Sequence, residues 1–147
     1  SRDKGFTMLT WAENHALGYP QMDTTHQEFI DCVAALDAAK DAQVMDAFAQ
    51  LKAHLIMHFD QEKTWMLETQ FPASECHINE HNEVLKSVDQ VEALLQSGDR
   101  LIHKRLAQEL QNWFPGHADY LDSALAHWLC KRNFGGAPIV LRKVIAK

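Results

Sequence analysis

Two residues able to hold a metal ion interrupt a hydrocarbon stripe. Val44, Phe48, Leu51, Leu55 and Met66 recur at helical spacing, and His58 and Glu62 fall inside that series, where a further Leu or Phe is expected. At about 100° per residue the two sit only about 40° apart around a helix axis. A carboxylate is almost never fully buried without a partner, so this pair asks for a cation between helices. The arrangement recurs down the chain. His77 and His81 head a stripe formed by Val84, Leu85, Val88, Val91 and Leu95, and an i, i+4 histidine pair can grip one ion from one helix face. His26 stands among Met22, Phe29, Ile30, Val33 and Leu36, and His117 among Leu106, Leu110, Trp113, Phe114 and Leu121. A lone histidine on an apolar face is more often a hydrogen-bonded core residue than a ligand, so each of these two is a weak signal alone. Asp122 lies about 140° from His117 in a regular helix, and one wide turn of the π type would bring both onto one face. His54 forms a competing pair with His58. It lies about 80° from the centre of the stripe, at its rim, which assigns it a supporting or surface role.

Four helices are needed to carry these residues. Residues 1–7 show no pattern and read as a leader ahead of a natural start at Met8. From Trp11 to Gln21 the chain has Gly18, Pro20 and no helical periodicity, so an extended arm is expected, with Trp11 over one end of the core and His15 on the surface. The first helix should begin at a cap among Asp23, Thr24 and Thr25, where Thr24 with Gln27 and Thr25 with Glu28 have capping-box spacing, and run to about Ala39. The second runs from about Ala42 to Glu68 and is ended by Phe71-Pro72. The third begins at Ala73 or Ser74 and ends in the polar turn Gln96–Asp99. The fourth starts near Leu101. Pro115-Gly116 in its interior is expected to kink or loosen it, while His103 at its polar start and His127 off its stripe are expected at the surface. Residues 133–147, with Gly135-Gly136 and Pro138, are read as a C-terminal tail or linker, leaving 8–132 as the domain.

Composition narrows the function classes. A chain of 147 residues is one domain, long enough for a sizeable core. Its net charge of −6 makes nucleic acid or an anionic membrane surface a poor partner. No apolar run approaches the roughly 18 residues that span a bilayer. Cys32, Cys76 and Cys130 are odd in number, far apart and without C-x-x-C, which reads as reduced packing thiols in a cytoplasmic protein. The H-E-x-x-H signature of zinc peptidases is absent.

Short links between four amphipathic helices argue for an all-α, antiparallel up-down-up-down bundle. In that topology His26, His77 and His81 lie near the starts of their helices, and His58, Glu62, His117 and Asp122 in the later halves of theirs. All seven therefore reach the same end. Five imidazoles and two carboxylates are too many for one ion and suit two metals sharing bridging carboxylates, iron among the candidates.

These residues resemble the hemerythrins, and in particular the bacterial hemerythrin-like proteins. The resemblance spans roughly Trp11 to Leu129: a histidine on the first helix (His26), H-F-x-x-E (His58 to Glu62), H-x-x-x-H (His77 to His81) and W-x-x-x-H-x-x-x-x-D (Trp113 through His117 to Asp122). It implies a non-haem di-iron centre, with a bridging oxo or hydroxo group, that binds O₂ reversibly and is no enzyme. Carried over, His77, His81 and His117 hold one iron, His26 and His58 the other, and Glu62 and Asp122 bridge. O₂, or a small anion such as azide, takes the open position on the two-histidine iron. By position, Phe29, Phe59, Trp113 and Phe114 wall that pocket. The family commonly has a bulky aliphatic residue where this chain has Ala118, and a plainer stretch where it has Pro115-Gly116. The expectation is a roomier pocket and faster autoxidation.

Other readings differ in class. A di-iron oxidase or peroxidase of the ferritin or rubrerythrin type uses E-x-x-H pairs, and this chain has none. A signalling module would sense O₂ or redox state at the same centre and pass it through the tail to a signalling or electron-transfer partner.

Overall fold

A computed structural model describes residues 9–11 and 15–134. The leader at 1–7 lies outside the described residues. Helices α1 (Pro20–Ala38), α2 (Val44–Glu68), α3 (Ser74–Gln96) and α4 (Ile102–His117) follow in order, and α4 passes through a π-helical turn (Ala118–Asp122) into α5 (Ser123–Phe134). A short 3₁₀ turn, Asp41–Gln43, leads into α2. Among the described residues there is no strand. Helix α1 packs on α2 and α4, and α3 packs on α2 and α4, so the four form a closed ring around a shared interior: a four-helix bundle.

The ends of the elements have local causes. Helix α1 starts earlier than the cap residues suggested. Pro20 occupies its first turn behind Tyr19, a position where the missing N–H costs nothing and the fixed φ is already helical. Asp23 accepts hydrogen bonds from the backbone N–H groups of Leu17 (2.7 Å) and Gly18 (3.0 Å), so it fixes the incoming arm instead of opening the helix. Helix α2 closes in a Schellman turn. Gln70 takes φ 56°, and the Phe71 and Gln70 amides bond back to the Met66 (2.9 Å) and Leu67 (3.3 Å) carbonyls. Gly98, at φ 104°, does the same after α3, with Asp99 and Gly98 bonding to Leu94 and Leu95. The Asp99 carboxylate then accepts from the Leu101 and Ile102 amides and starts α4.

One expectation, that for His103, is corrected. Pro115-Gly116, expected to kink or loosen α4, sits inside a helix that runs on to His117, and both residues are exposed. Helix α5 extends through Phe134, and 135–147 lies outside the described residues. His103 is not on the surface but buried, being three residues before Leu106 and seven before Leu110 on the inward stripe.

Buried apolar side chains form two clusters. The larger includes Phe29, Val33, Leu36, Phe48, Leu55, Phe59, Val88, Leu106, Leu110, Phe114 and Ala118, with Leu9 and Trp11 packed against it. The smaller comprises Tyr19, Met22, Met66, Phe71, Leu125, Ala126, Leu129 and Cys130. Along α1, α2 and α4–α5, the polar inward residues lie between members of the two: Met22–His26–Phe29, Phe59–Glu62–Met66, and Ala118–Asp122–Leu125. One polar layer is thus closed above and below by hydrocarbon.

Candidate metal centre

That layer contains His26 from α1, His58 and Glu62 from α2, His77 and His81 from α3, His117 from α4 and Asp122 from the π turn, and every one is buried, at most 3% exposed. The π turn explains Asp122. It widens the helix so that a residue five positions after His117 points inward with it, bringing His117 Nε2 within 3.1 Å of Asp122 Oδ1.

Potential ligand atoms fall into two groups that share Glu62. Glu62, His77, His81, His117 and Asp122 converge in one, and His26, His58 and Glu62 in the other. Each carboxylate divides its oxygens between them. Glu62 Oε1 lies 3.2 Å from His77 Nε2 and 3.5 Å from His81 Nε2, whereas Oε2 lies 2.9 Å from His58 Nε2 and 3.7 Å from His26 Nε2. Asp122 Oδ1 sits 2.9 Å from His77 Nε2, and Oδ2 sits 3.0 Å from His26 Nε2.

These short distances are mostly not hydrogen bonds. His26 Nε2, His77 Nε2, Glu62 Oε1 and both Asp122 oxygens are buried without an aligned partner. His81 Nε2 and His117 Nε2 face each other at 3.0 Å, an approach of two lone pairs unless a proton or a cation lies between. Orphaned buried polar atoms are costly. Atoms that converge without aligning are what a coordinated cation would satisfy, and imidazole with carboxylate is a donor set that suits iron. The residues fit such a group.

The electrostatics agree. Burial opposes a charge on His26, but Asp122 and then Glu62 outweigh it and raise the imidazole to about 10. Burial likewise opposes a charge on His77, and its contacts with Asp122 and Glu62 raise it to about 9. Burial drives His81 down to about 3, with its histidine neighbours adding to the effect and Glu62 opposing it. Burial would raise Glu62 and Asp122, and the Asp122 charge would raise Glu62 further, yet the surrounding imidazoles hold both carboxyls well below their ordinary range. In the metal-free chain, two ionised carboxylates therefore face two protonated histidines. Two protons stand in for cations, to be displaced on metal binding.

Aromatic rings wall the layer. Phe59 stacks on His81, with centroids 3.8 Å apart and planes 8° from parallel. Phe114 meets His26 edge-on at 5.1 Å, Phe29 lies 6.5 Å from His58, and Trp113 stacks on His117 at 4.2 Å. Ala118 is buried against the larger cluster.

The remaining histidines stand apart. His54 is half-buried, and its Nε2 meets the Thr25 carbonyl at 3.1 Å, tying α2 to α1. His127 is exposed, as expected. His15 is half-buried, its ring 5.7 Å from Trp11. Sequence reasoning missed Glu80. Its Oε1 accepts from Trp113 Nε1 (3.0 Å) and meets His117 Nδ1 at 2.9 Å. The available signal was a carboxylate beside His81, turned about 60° from His77 toward a neighbouring helix.

Comparison with known proteins agrees with this geometry. Residues 17–129 match the family described as the hemerythrin HHE cation binding domain. A protein of Ralstonia nicotianae named bacteriohemerythrin is 34% identical over 126 residues, covering 86% of this chain and 92% of that protein. A buried layer of five imidazoles and two carboxylates within a four-helix bundle is thus accompanied by sequence similarity over most of the length, and the chain belongs to the hemerythrin family.

Proposed function

We propose that the chain binds O₂ reversibly at a non-haem di-iron centre and serves in oxygen storage, delivery or sensing rather than in catalytic turnover. The single observation that supports this most is the division of each carboxylate, one oxygen toward each histidine group. In this reading His77, His81 and His117 would hold one iron and His26 and His58 the other, with Glu62 and Asp122 shared between them. The helices run up-down-up-down within a domain at 8–132, which brings the ligands from four helices to one depth. The iron pair, when bound, supplies the electrons for reversible O₂ binding.

The chain's own residues do the rest. Glu62 and Asp122 neutralise cation charge that the apolar interior could not otherwise accept. Phe114 and Phe29 would keep water from the two-histidine side, beside His26 and His58, whereas Phe59 and Trp113, also expected there, stack on His81 and His117 of the three-histidine side; a dry pocket would slow autoxidation. Ala118 contributes one methyl group to that wall, so the pocket admits azide readily and the oxygenated form is short-lived. A sensing role would require a signalling or electron-transfer partner.

The test is an optical spectrum of the reduced protein before and after exposure to air, with iron counted per chain. Two irons and an O₂-dependent charge-transfer band that disappears on deoxygenation are expected. One iron per chain, or no band that follows O₂, would sink the reading. An oxygenated form that persists for hours in air would refute the part assigned to Ala118.

A further inference from the structure

Among the five buried imidazoles of the layer, His117 is set apart by its far side. The Nδ1 atoms of His26, His58, His77 and His81 are buried with no hydrogen-bond partner. His117 Nδ1 has a carboxylate at 2.9 Å, that of Glu80, which also accepts the Trp113 indole N–H at 3.0 Å. The indole ring in turn stacks on the His117 imidazole, their planes 28° apart. Glu80 Oε1 therefore holds both rings of the stack at their edges. Its side chain is 38% exposed and stands in a groove of about 510 Å³ between α3 and α4, lined also by Glu83, Val84 and Leu110.

We propose that Glu80 is a positioning residue for the three-histidine metal position: by accepting the Nδ1–H of His117 it fixes the tautomer that turns the Nε2 lone pair toward the metal. This rests on the dinuclear reading given above. A carboxylate on the far nitrogen of a metal-bound imidazole orients the ring and makes it a stronger donor. The geometry makes this one-sided. Glu80 touches one member of the His77, His81 and His117 group and neither His26 nor His58, so its loss should weaken one metal position and spare the other.

Cobalt(II) titrated into metal-free protein tests this without reference to O₂. Wild type, Glu80→Gln and Glu80→Ala are compared by visible absorption and calorimetry. Removing such a partner lowers metal affinity about 10- to 100-fold, and Glu80→Ala should show that loss in one of two binding steps only. Glu80→Gln keeps an acceptor oxygen and nearly the same volume but no charge, so its loss should be smaller, with unchanged far-UV circular dichroism. In the cobalt-loaded protein the exchangeable Nδ1–H protons of bound histidines give paramagnetically shifted resonances. Glu80→Gln should move one of them and leave the rest in place, a response that simple loss of packing would not give. Wild-type affinity for both ions in Glu80→Ala, an equal fall in both steps, or an unmoved set of shifted protons in Glu80→Gln would overturn the proposal. Wild type that takes up fewer than two cobalt ions would instead overturn the dinuclear reading on which it stands.

Discussion

Replacing Glu62 by Gln removes one negative charge and one ligating oxygen while leaving the side-chain volume nearly unchanged. Glu62 is the one group shared by both ligand clusters, with an imidazole nitrogen within 3.2 Å of one oxygen and another within 2.9 Å of the other. The loss of an outer partner costs about 10- to 100-fold in metal affinity. On the proposed dinuclear reading Glu62 bridges and its loss should exceed that, so Glu62→Gln is expected to bind one metal where the wild type is expected to bind two. Metal-free stability should fall as well, and linkage limits the amount. With one carboxylate gone, one of the two protonated histidines can discharge. His77, at about 9, holds its proton roughly two pH units above neutrality, which at ~1.4 kcal/mol per unit gives a ceiling of about 3 kcal/mol. For a domain of this size that lowers Tm by up to roughly 10 °C. Cobalt stoichiometry from visible absorption and thermal unfolding at pH 7 are the two measurements. His54→Ala is the control: it loses one bond to the Thr25 carbonyl, about 1 kcal/mol, and keeps both metals. Two metals at wild-type affinity in Glu62→Gln, or one metal lost in His54→Ala, would refute this account of the layer.

Three further outcomes follow from the same geometry. Phe59→Ala removes a ring that is 4% exposed and stacked on His81; it should destabilise by about 3–5 kcal/mol and accelerate autoxidation, read by denaturant titration and by decay of the oxygenated spectrum. His103→Leu replaces a buried imidazole whose ring nitrogens lack hydrogen-bond partners and whose charging burial and Lys104 oppose; it should stabilise the fold by about 1–2 kcal/mol, and a lower denaturation midpoint would contradict the burial argument. In the metal-free chain, the stability contributed by His26 and His77 is complete below their ordinary 6.5 and is lost as pH rises through about 9 to 10. The part contributed by the depressed Glu62 and Asp122 is present above the ordinary carboxylate range of 3.8 to 4.5 and is lost as pH falls below it. Unfolding free energy measured against pH should therefore show a plateau between these limits, and a maximum above pH 9 would contradict it.

Periodicity along the chain located four helices and the inward-facing His26, His58, Glu62, His77, His81 and His117 of the central layer, because a 3.6-residue repeat defines a face without reference to any other helix; Asp122 falls off that repeat and was carried by the family resemblance. Periodicity also placed His54 at the rim and His127 outside. The same reasoning went astray where a feature depends on the environment rather than on the repeat. Pro20 looked like part of an arm, yet at a first helical position its missing N–H is no defect. His103 looked like a solvated residue at a polar helix start, although it lies on the stripe of Leu106 and Leu110.

What the sequence by itself determined is the inventory: seven ligand-type residues on four inward faces, and, through the spacing of His117 and Asp122, the need for one wide turn. What only the tertiary structure decided is how their atoms are shared. A helical repeat carries no information about the rotation of one helix against another, and that rotation turns one oxygen of Glu62 toward His77 on α3 and the other toward His26 on α1. The same holds for Glu80, which sits on the flank of α3 and finds Trp113 and His117 across the α3–α4 boundary. Its contact spans 33 and 37 residues of chain, a distance over which spacing predicts nothing and packing determines everything.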